Sequence, residues 1–190
     1  MKKIFSALLL AVMLLTSTAA FAAYKEDIPE GADLASVKRL AIAFPQHYKV
    51  EDTEPTADEF AKVIFAASRV ARCYVISYDE IAANILRDTG VDITALSDLE
   101  ARKIYNENVA KYADAFLTVA TANNIKKVQF FFEVQNAQSG EMVYLLTTQN
   151  GELGKNSKDY LKACENFYKQ FDKAAEKSIK DAAKKSKKDK

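Results

Sequence analysis

Tryptophan is absent from this chain of 190 residues, histidine occurs once and cysteine twice. Each scarcity excludes a class of chemistry. With His47 alone, no pair of imidazoles can ligate a transition metal. Ser-His-Asp or Cys-His catalysis would have to run through that one ring, which falls in a polar loop, residues 46–55, while Cys73 and Cys164 fall on predicted core positions. The loop gathers Glu51, Asp52 and Glu54 but lacks the glycine that shapes a calcium-binding EF-hand loop; it is expected to be solvated. Gly31, Gly90, Gly140, Gly151 and Gly154 are too scattered to form a phosphate cradle between a strand and a helix. No cofactor, metal or catalytic residue is expected. Nor is there an excess of one charge: 27 basic residues face 26 acidic ones, which is not the footprint of a nucleic-acid binder.

Long apolar runs are also missing, with one exception. Lys2 and Lys3 precede an almost unbroken apolar stretch over residues 4–15, and Ala20-Phe21-Ala22 follows with small residues where a signal peptidase reads. Residues 1–22 are therefore expected to be a signal peptide, and the run is short for a membrane span of about 20 residues. Cleavage after Ala22 leaves about 168 residues with a net charge of about −1 and no membrane span, enough for one domain with a sizeable core. Residues 23–36 are expected to be an extended lead-in, 37–179 a single α/β domain, and 180–190, with six Lys and two Asp, a disordered basic tail.

Residues 37–44 (VKRLAIAF) alternate as a strand that Pro45 stops. Thr56 and Glu59, Ser77 and Glu80, and Ser97 and Glu100 then repeat one spacing, in which each side chain satisfies a backbone N–H of the other and starts a helix. Apolar stripes follow each start: Phe60, Val63, Ile64, Ala67 and Val70; Ile81, Ile85 and Leu86; Ile104, Tyr105, Val109 and Tyr112. Residues 73–76 and 115–121 are expected strands, and Leu161, Cys164, Phe167, Tyr168, Phe171 and Ala175 mark the last helix. The order β-α-β-α-α-β-β-β-α predicts a two-layer α/β (α+β) sandwich, a mixed sheet of about five strands with helices on one face.

Residues 126–149 hold two apolar alternating runs around a Gly-containing break, the signal of a β-hairpin. A four-residue loop over 137–140 would place Val134 opposite Val143, Phe132 opposite Leu145 and Phe130 opposite Thr147, with Val128 completing an apolar face. The reverse face would then carry Phe131 with Leu146, Glu133 with Tyr144 and Gln135 with Met142. That face is mixed, and a slip of one residue would reverse a strand's assignment. If the sheet binds a partner, Phe131, Met142 and Tyr144 are the expected contacts; half-burial under loops is the other reading. Cys73 and Cys164 form either one disulfide or two buried thiols. Asp114, before a strand, is either one carboxylate of a hydrolytic pair or a hydrogen-bonded residue at a helix–strand junction.

Three stretches carry a resemblance: VKRLAIAF with its loop and capped helix, YVISYDEIAANILRDTG, and YADAFLTVATANN leading into VQFFFEVQNAQSGEMVY. Together they resemble the small exported α/β domain of the TolB amino-terminal domain, the CsgG-like secretion lipoproteins and the lipoprotein activators of penicillin-binding proteins. The pattern covers most of residues 37–175. It departs in having no lipobox Cys and in placing Thr121-Ala122 where many members carry Gly. The resemblance implies a non-enzymatic cell-envelope protein that binds other envelope proteins, exported to the periplasm or, alternatively, secreted. An envelope hydrolase using carboxylates such as Asp114 and an oligomerising surface component are the competing expectations.

Overall fold

In the computed structural model, which describes residues 23–123, 128–149 and 156–188, a six-stranded mixed sheet runs in the order β1-β6-β5-β4-β2-β3. The strands are β1 (Ala23–Asp27), β2 (Arg39–Ile42), β3 (Tyr74–Ile76), β4 (Ala115–Asn123), β5 (Val128–Asn136) and β6 (Met142–Gln149). The helices are α1 (Ala57–Ala67), α2 (Tyr78–Thr89), α3 (Asp98–Asn108) and α4 (Ser157–Lys188). The α+β class and the expected element order are present, with one strand more than expected. Residues 1–22, the expected signal peptide, lie outside the described residues.

The added strand is β1, in the segment expected to be a lead-in. Its sequence, AYKED, has no apolar alternation, so periodicity could not reveal it. It pairs antiparallel with β6, Tyr24 opposite Thr148 and Glu26 opposite Leu146, and a charged, short strand suits a sheet edge. At the other end of the chain, α4 continues to Lys188, where a disordered tail was expected.

All three helices start where the spacing predicts, two of them with the full reciprocal box and one with half of it. Thr56 and Ser97 each complete a reciprocal capping box, with Glu59 and Glu100, and the Ser77 hydroxyl accepts from the Glu80 N–H. Helices, however, cover both faces of the sheet, not one. α1 and α4 lie side by side on the first face, where Phe60, Ile64, Tyr160, Cys164, Phe167, Tyr168 and Phe171 pack on Leu40, Leu117, Val119, Phe130, Phe132, Val134, Tyr144 and Leu146. α2 and α3 cover the second face, burying Ile81, Ile85, Tyr105 and Val109 against Ala41, Ile76 and Phe116.

The reason is topological. β2 lies between β3 and β4 and is parallel to both. The chain moves one way across the sheet from β2 to β3 and back the other way from β3 to β4. Crossovers between parallel strands are right-handed, so reversing direction moves the connecting helices to the opposite face. The parallel end is therefore covered on both sides, while the antiparallel end, β5-β6-β1, is covered on one, as each sheet type tolerates.

The hairpin keeps its predicted turn but not its whole register. Gly140 adopts φ +71°, open to a residue without Cβ, and the Asn136 side chain accepts from the Gln138 and Ser139 amides. Gln135 faces Met142 as expected. A β-bulge between Val134 and Gln135 then makes Val143 the extra residue, so Val134 faces Tyr144, Phe132 faces Leu146 and Phe130 faces Thr148. Tyr144 and Leu146 thereby turn into the core and Leu145 turns to the second face.

Candidate binding cleft on the second face of the sheet

β5 and β6 leave Phe131, Glu133, Gln135, Met142, Leu145 and Thr147 half-buried on the second face. Phe131, Met142 and Leu145 belong to neither core. Phe131 and Met142 thus sit where a partner-binding face was expected. Tyr144 does not: it is fully buried on the first face, its ring 5.3 Å from Phe171, its hydroxyl donating to Glu26 at 2.8 Å. Burial, then that bond to Glu26, drive its phenol pKa far upward. The bulge is what removes it from the proposed surface.

Beside this uncovered strip, where α2 and α3 end their cover, a cleft of about 1060 Å³ opens. Phe44 follows β2, Ser77 and Tyr78 follow β3, and Phe116, Thr118, Glu133 and Gln135 come from β4 and β5. The cleft thus lies beyond the carboxyl ends of the parallel strands, where the crossover direction reverses, the usual ligand position of open α/β sheets. Its floor is aromatic. Phe44 and Tyr78 are 5.1 Å apart, Tyr78 stacks on Tyr105 at 6.1 Å, and Tyr105 meets Phe116 edge-on at 6.0 Å. Tyr105 is 3% exposed, and its hydroxyl has no hydrogen-bond partner among the described residues. Burial raises its pKa well above the ordinary range.

Three helices begin at the rim. A helix N-terminus carries partial positive charge and free N–H groups and ordinarily favours an anion. Here each start is closed by its own Thr or Ser, and each first turn supplies an acid to the cleft wall: Asp58, Asp79 and Asp98. These carboxylates make no hydrogen bond or ion pair among the described residues, and with Glu133 they face only Lys62 and Arg102 as lining cations. Burial raises the Tyr78 pKa, and Asp79, Asp92, Asp98 and Asp58 add to the effect. Capping and hairpin signals located these residues in sequence, but no signal joined them.

The remaining sequence candidates have structural roles. Asp114 Oδ2 accepts from the backbone N–H of Lys38 and Arg39 at 2.9 and 2.8 Å, holding the start of β2 beside β4. Cys73 and Cys164 are free thiols, both packed at the first-face core; burial, and then the Asp172 charge, push Cys73 up to about 11. His47 corrects the expectation of a solvated loop. It is 6% exposed between Phe60 and Tyr160. Its Nε2 lies 2.8 Å from the Pro55 carbonyl, which can only accept, so Nε2 carries a proton; Nδ1 lies 2.7 Å from the Thr121 hydroxyl. Glu54 is buried as well, accepting from the Val50 amide and Asn123. The loop is drawn down because Gln46 continues pairing alongside β4, with its N–H on Val119 O and its carbonyl taking the Thr121 N–H.

No helix among the described residues is long and apolar enough to cross a membrane, and no three His, Cys, Asp or Glu side chains among them are grouped so that they could hold a metal ion. No protein-family model and no curated protein sequence matches the chain. Among solved structures it is similar to a PelC dodecamer from Paraburkholderia phytofirmans, at 12% identity and TM-score 0.45, over 76% of this chain and 96% of that one. It is similar also to the LpoB C-terminal domain from Escherichia coli, at 12% identity and TM-score 0.44, over 65% and 88%. A third is lipoprotein GNA1162 from Neisseria meningitidis, at 12% identity and TM-score 0.42, over 63% and 84%. At these identities and TM-scores the likenesses assign neither a family nor an activity to this chain.

Proposed function

We propose that the chain is an exported, non-catalytic protein-interaction domain of the cell envelope, periplasmic once residues 1–22 are removed. The observation that carries this reading is the half-covered second face of the sheet. Phe131, Leu145 and Met142 stand outside both cores beside Glu133, Gln135 and Thr147, a mixed apolar and polar surface that runs into the cleft through Glu133 and Gln135. Uncovered apolar surface rimmed by polar residues is typical of interaction sites. The carboxylate singled out for hydrolysis, Asp114, is held by two backbone amides away from the cleft lining.

A photoreactive residue at position 131, compared with one at exposed Lys111 in the turn that follows α3, tests this in intact envelopes. A discrete crosslink to another protein from position 131 alone, lost on Leu145→Glu, is expected. No crosslink from position 131 would overturn the reading. A crosslink only between two copies of this chain would replace it with the oligomerising component.

A further inference from the structure

The cleft at the crossover reversal is larger and more specifically lined than the flat strip beside it, and its chemistry selects a charge. Three carboxylates, Asp58, Asp79 and Asp98, reach it from three different helices, unpaired among the described residues, over an aromatic floor of Phe44, Tyr78, Tyr105 and Phe116. The first-turn acids complement their own helix dipoles, which accounts for acids at helix starts. It does not account for three such starts converging on one cavity with an aromatic floor. An anion is disfavoured by all of these carboxylates, and a wholly apolar group would desolvate them without supplying a partner. A primary ammonium or guanidinium on an apolar stem meets every feature: carboxylates for its charge, ring faces for its stem and cation–π attraction.

Resting on the interaction reading above, we propose that this cleft receives lysine or arginine side chains of a basic segment of the partner protein, with Asp58, Asp79 and Asp98 as charge partners and Tyr78 as the ring against which the cation packs. The uncovered strip of Phe131, Met142 and Leu145 then seats the apolar flank of the same segment, since strip and cleft share Glu133 and Gln135.

Acetylated pentalysine amide is the probe, added to the exported chain and followed by NMR and calorimetry. Saturable binding that shifts the Phe44, Tyr78 and Tyr105 resonances is expected, weakening as salt is raised. Asp79→Asn with Asp98→Asn should weaken it by roughly five- to tenfold, and Tyr78→Leu should weaken it while Tyr78→Phe does not. Far-UV circular dichroism and the melting temperature establish that each variant is folded, and Asp58→Asn supplies an independent variant should the pair unfold the chain. Absence of binding, equal binding of pentaglutamate, or binding undiminished in the folded variants would overturn the proposal. So would 1,5-diaminopentane binding as tightly as the peptide, which would make the occupant a free amine. Crosslinking from position 131 in the Asp79→Asn/Asp98→Asn chain separates the two readings. A crosslink that persists undiminished removes the cleft from the interaction and leaves the interaction standing.

Discussion

Replacing Tyr144 and Leu145 in turn by alanine tests the bulge that decides which face of the sheet is free. Tyr144 is fully buried, its ring tilted 6.2 Å from Phe167 and edge-on 5.3 Å from Phe171, and its hydroxyl ties edge strand β1 through Glu26. Truncating a core aromatic costs about 3–5 kcal/mol, of which roughly 1 kcal/mol is the lost hydrogen bond. Leu145 is half-buried on the other face and outside both cores, so its truncation should cost less than about 1 kcal/mol. With a urea slope of about 2 kcal/mol/M, Tyr144→Ala should lower the unfolding midpoint by about 1.5–2.5 M and Leu145→Ala by under about 0.5 M. Tyr144→Phe isolates the hydroxyl and should cost about 1 kcal/mol. The unbulged hairpin, with Val143 and Leu145 inward, demands the reverse ranking. A larger loss for Leu145→Ala than for Tyr144→Ala would refute the register and with it the uncovered strip.

Asp114→Ala should destabilise the chain by about 1–3 kcal/mol, because the Lys38 and Arg39 amides lose their acceptor; Asp114→Asn, which keeps a carbonyl oxygen, should cost less in the same urea titration. Glu59 should titrate below its ordinary 4.5, because the Thr56 amide and hydroxyl in the capping box favour its charged form. Its support is thus fully present above pH 4.5 and lost as pH falls through the lowered value; Thr56→Ala removes the hydroxyl but keeps the amide, so an NMR titration should find Glu59 shifted only part of the way back toward 4.5. In denaturant both cysteines should alkylate without reductant, as free thiols. In the folded chain Cys73, pushed up to about 11 by burial, should alkylate at pH 8 about a hundredfold more slowly than a thiol titrating at 9. Its contribution to stability is present below pH 9 and is lost as pH rises toward 11.

The helix starts were legible because a cap is a local interaction. Thr56 with Glu59 and Ser97 with Glu100 satisfy backbone groups three residues away, whatever the rest of the chain does. The first-face residues of β5 were legible for the same kind of reason: Val128, Phe130, Phe132 and Val134 alternate without interruption. β1 was not legible, since its partner lies more than a hundred residues away and its own residues carry no apolar period. His47 was misread because the loop around it is polar in composition; its burial comes from Gln46 pairing with the distant β4 and from the rings of Phe60 and Tyr160 closing over it.

The sequence by itself determined the local structure: four helices with their apolar stripes, the caps of three of them, the hairpin turn, and the scarcity of residues for metal or nucleophilic chemistry. Tertiary structure alone decided the faces. One bulged residue, Val143, inverts the exposure of Tyr144 and Leu145, since side chains alternate with a period of two and any odd insertion exchanges the sides. The return from β3 across β2 to β4 decides that α2 and α3 lie opposite α1 and α4, and this gathers Asp58, Asp79 and Asp98 at one rim. Those acids lie about twenty residues apart in sequence, each explained locally by its helix. Only the handedness of the crossovers brings them to a common cavity.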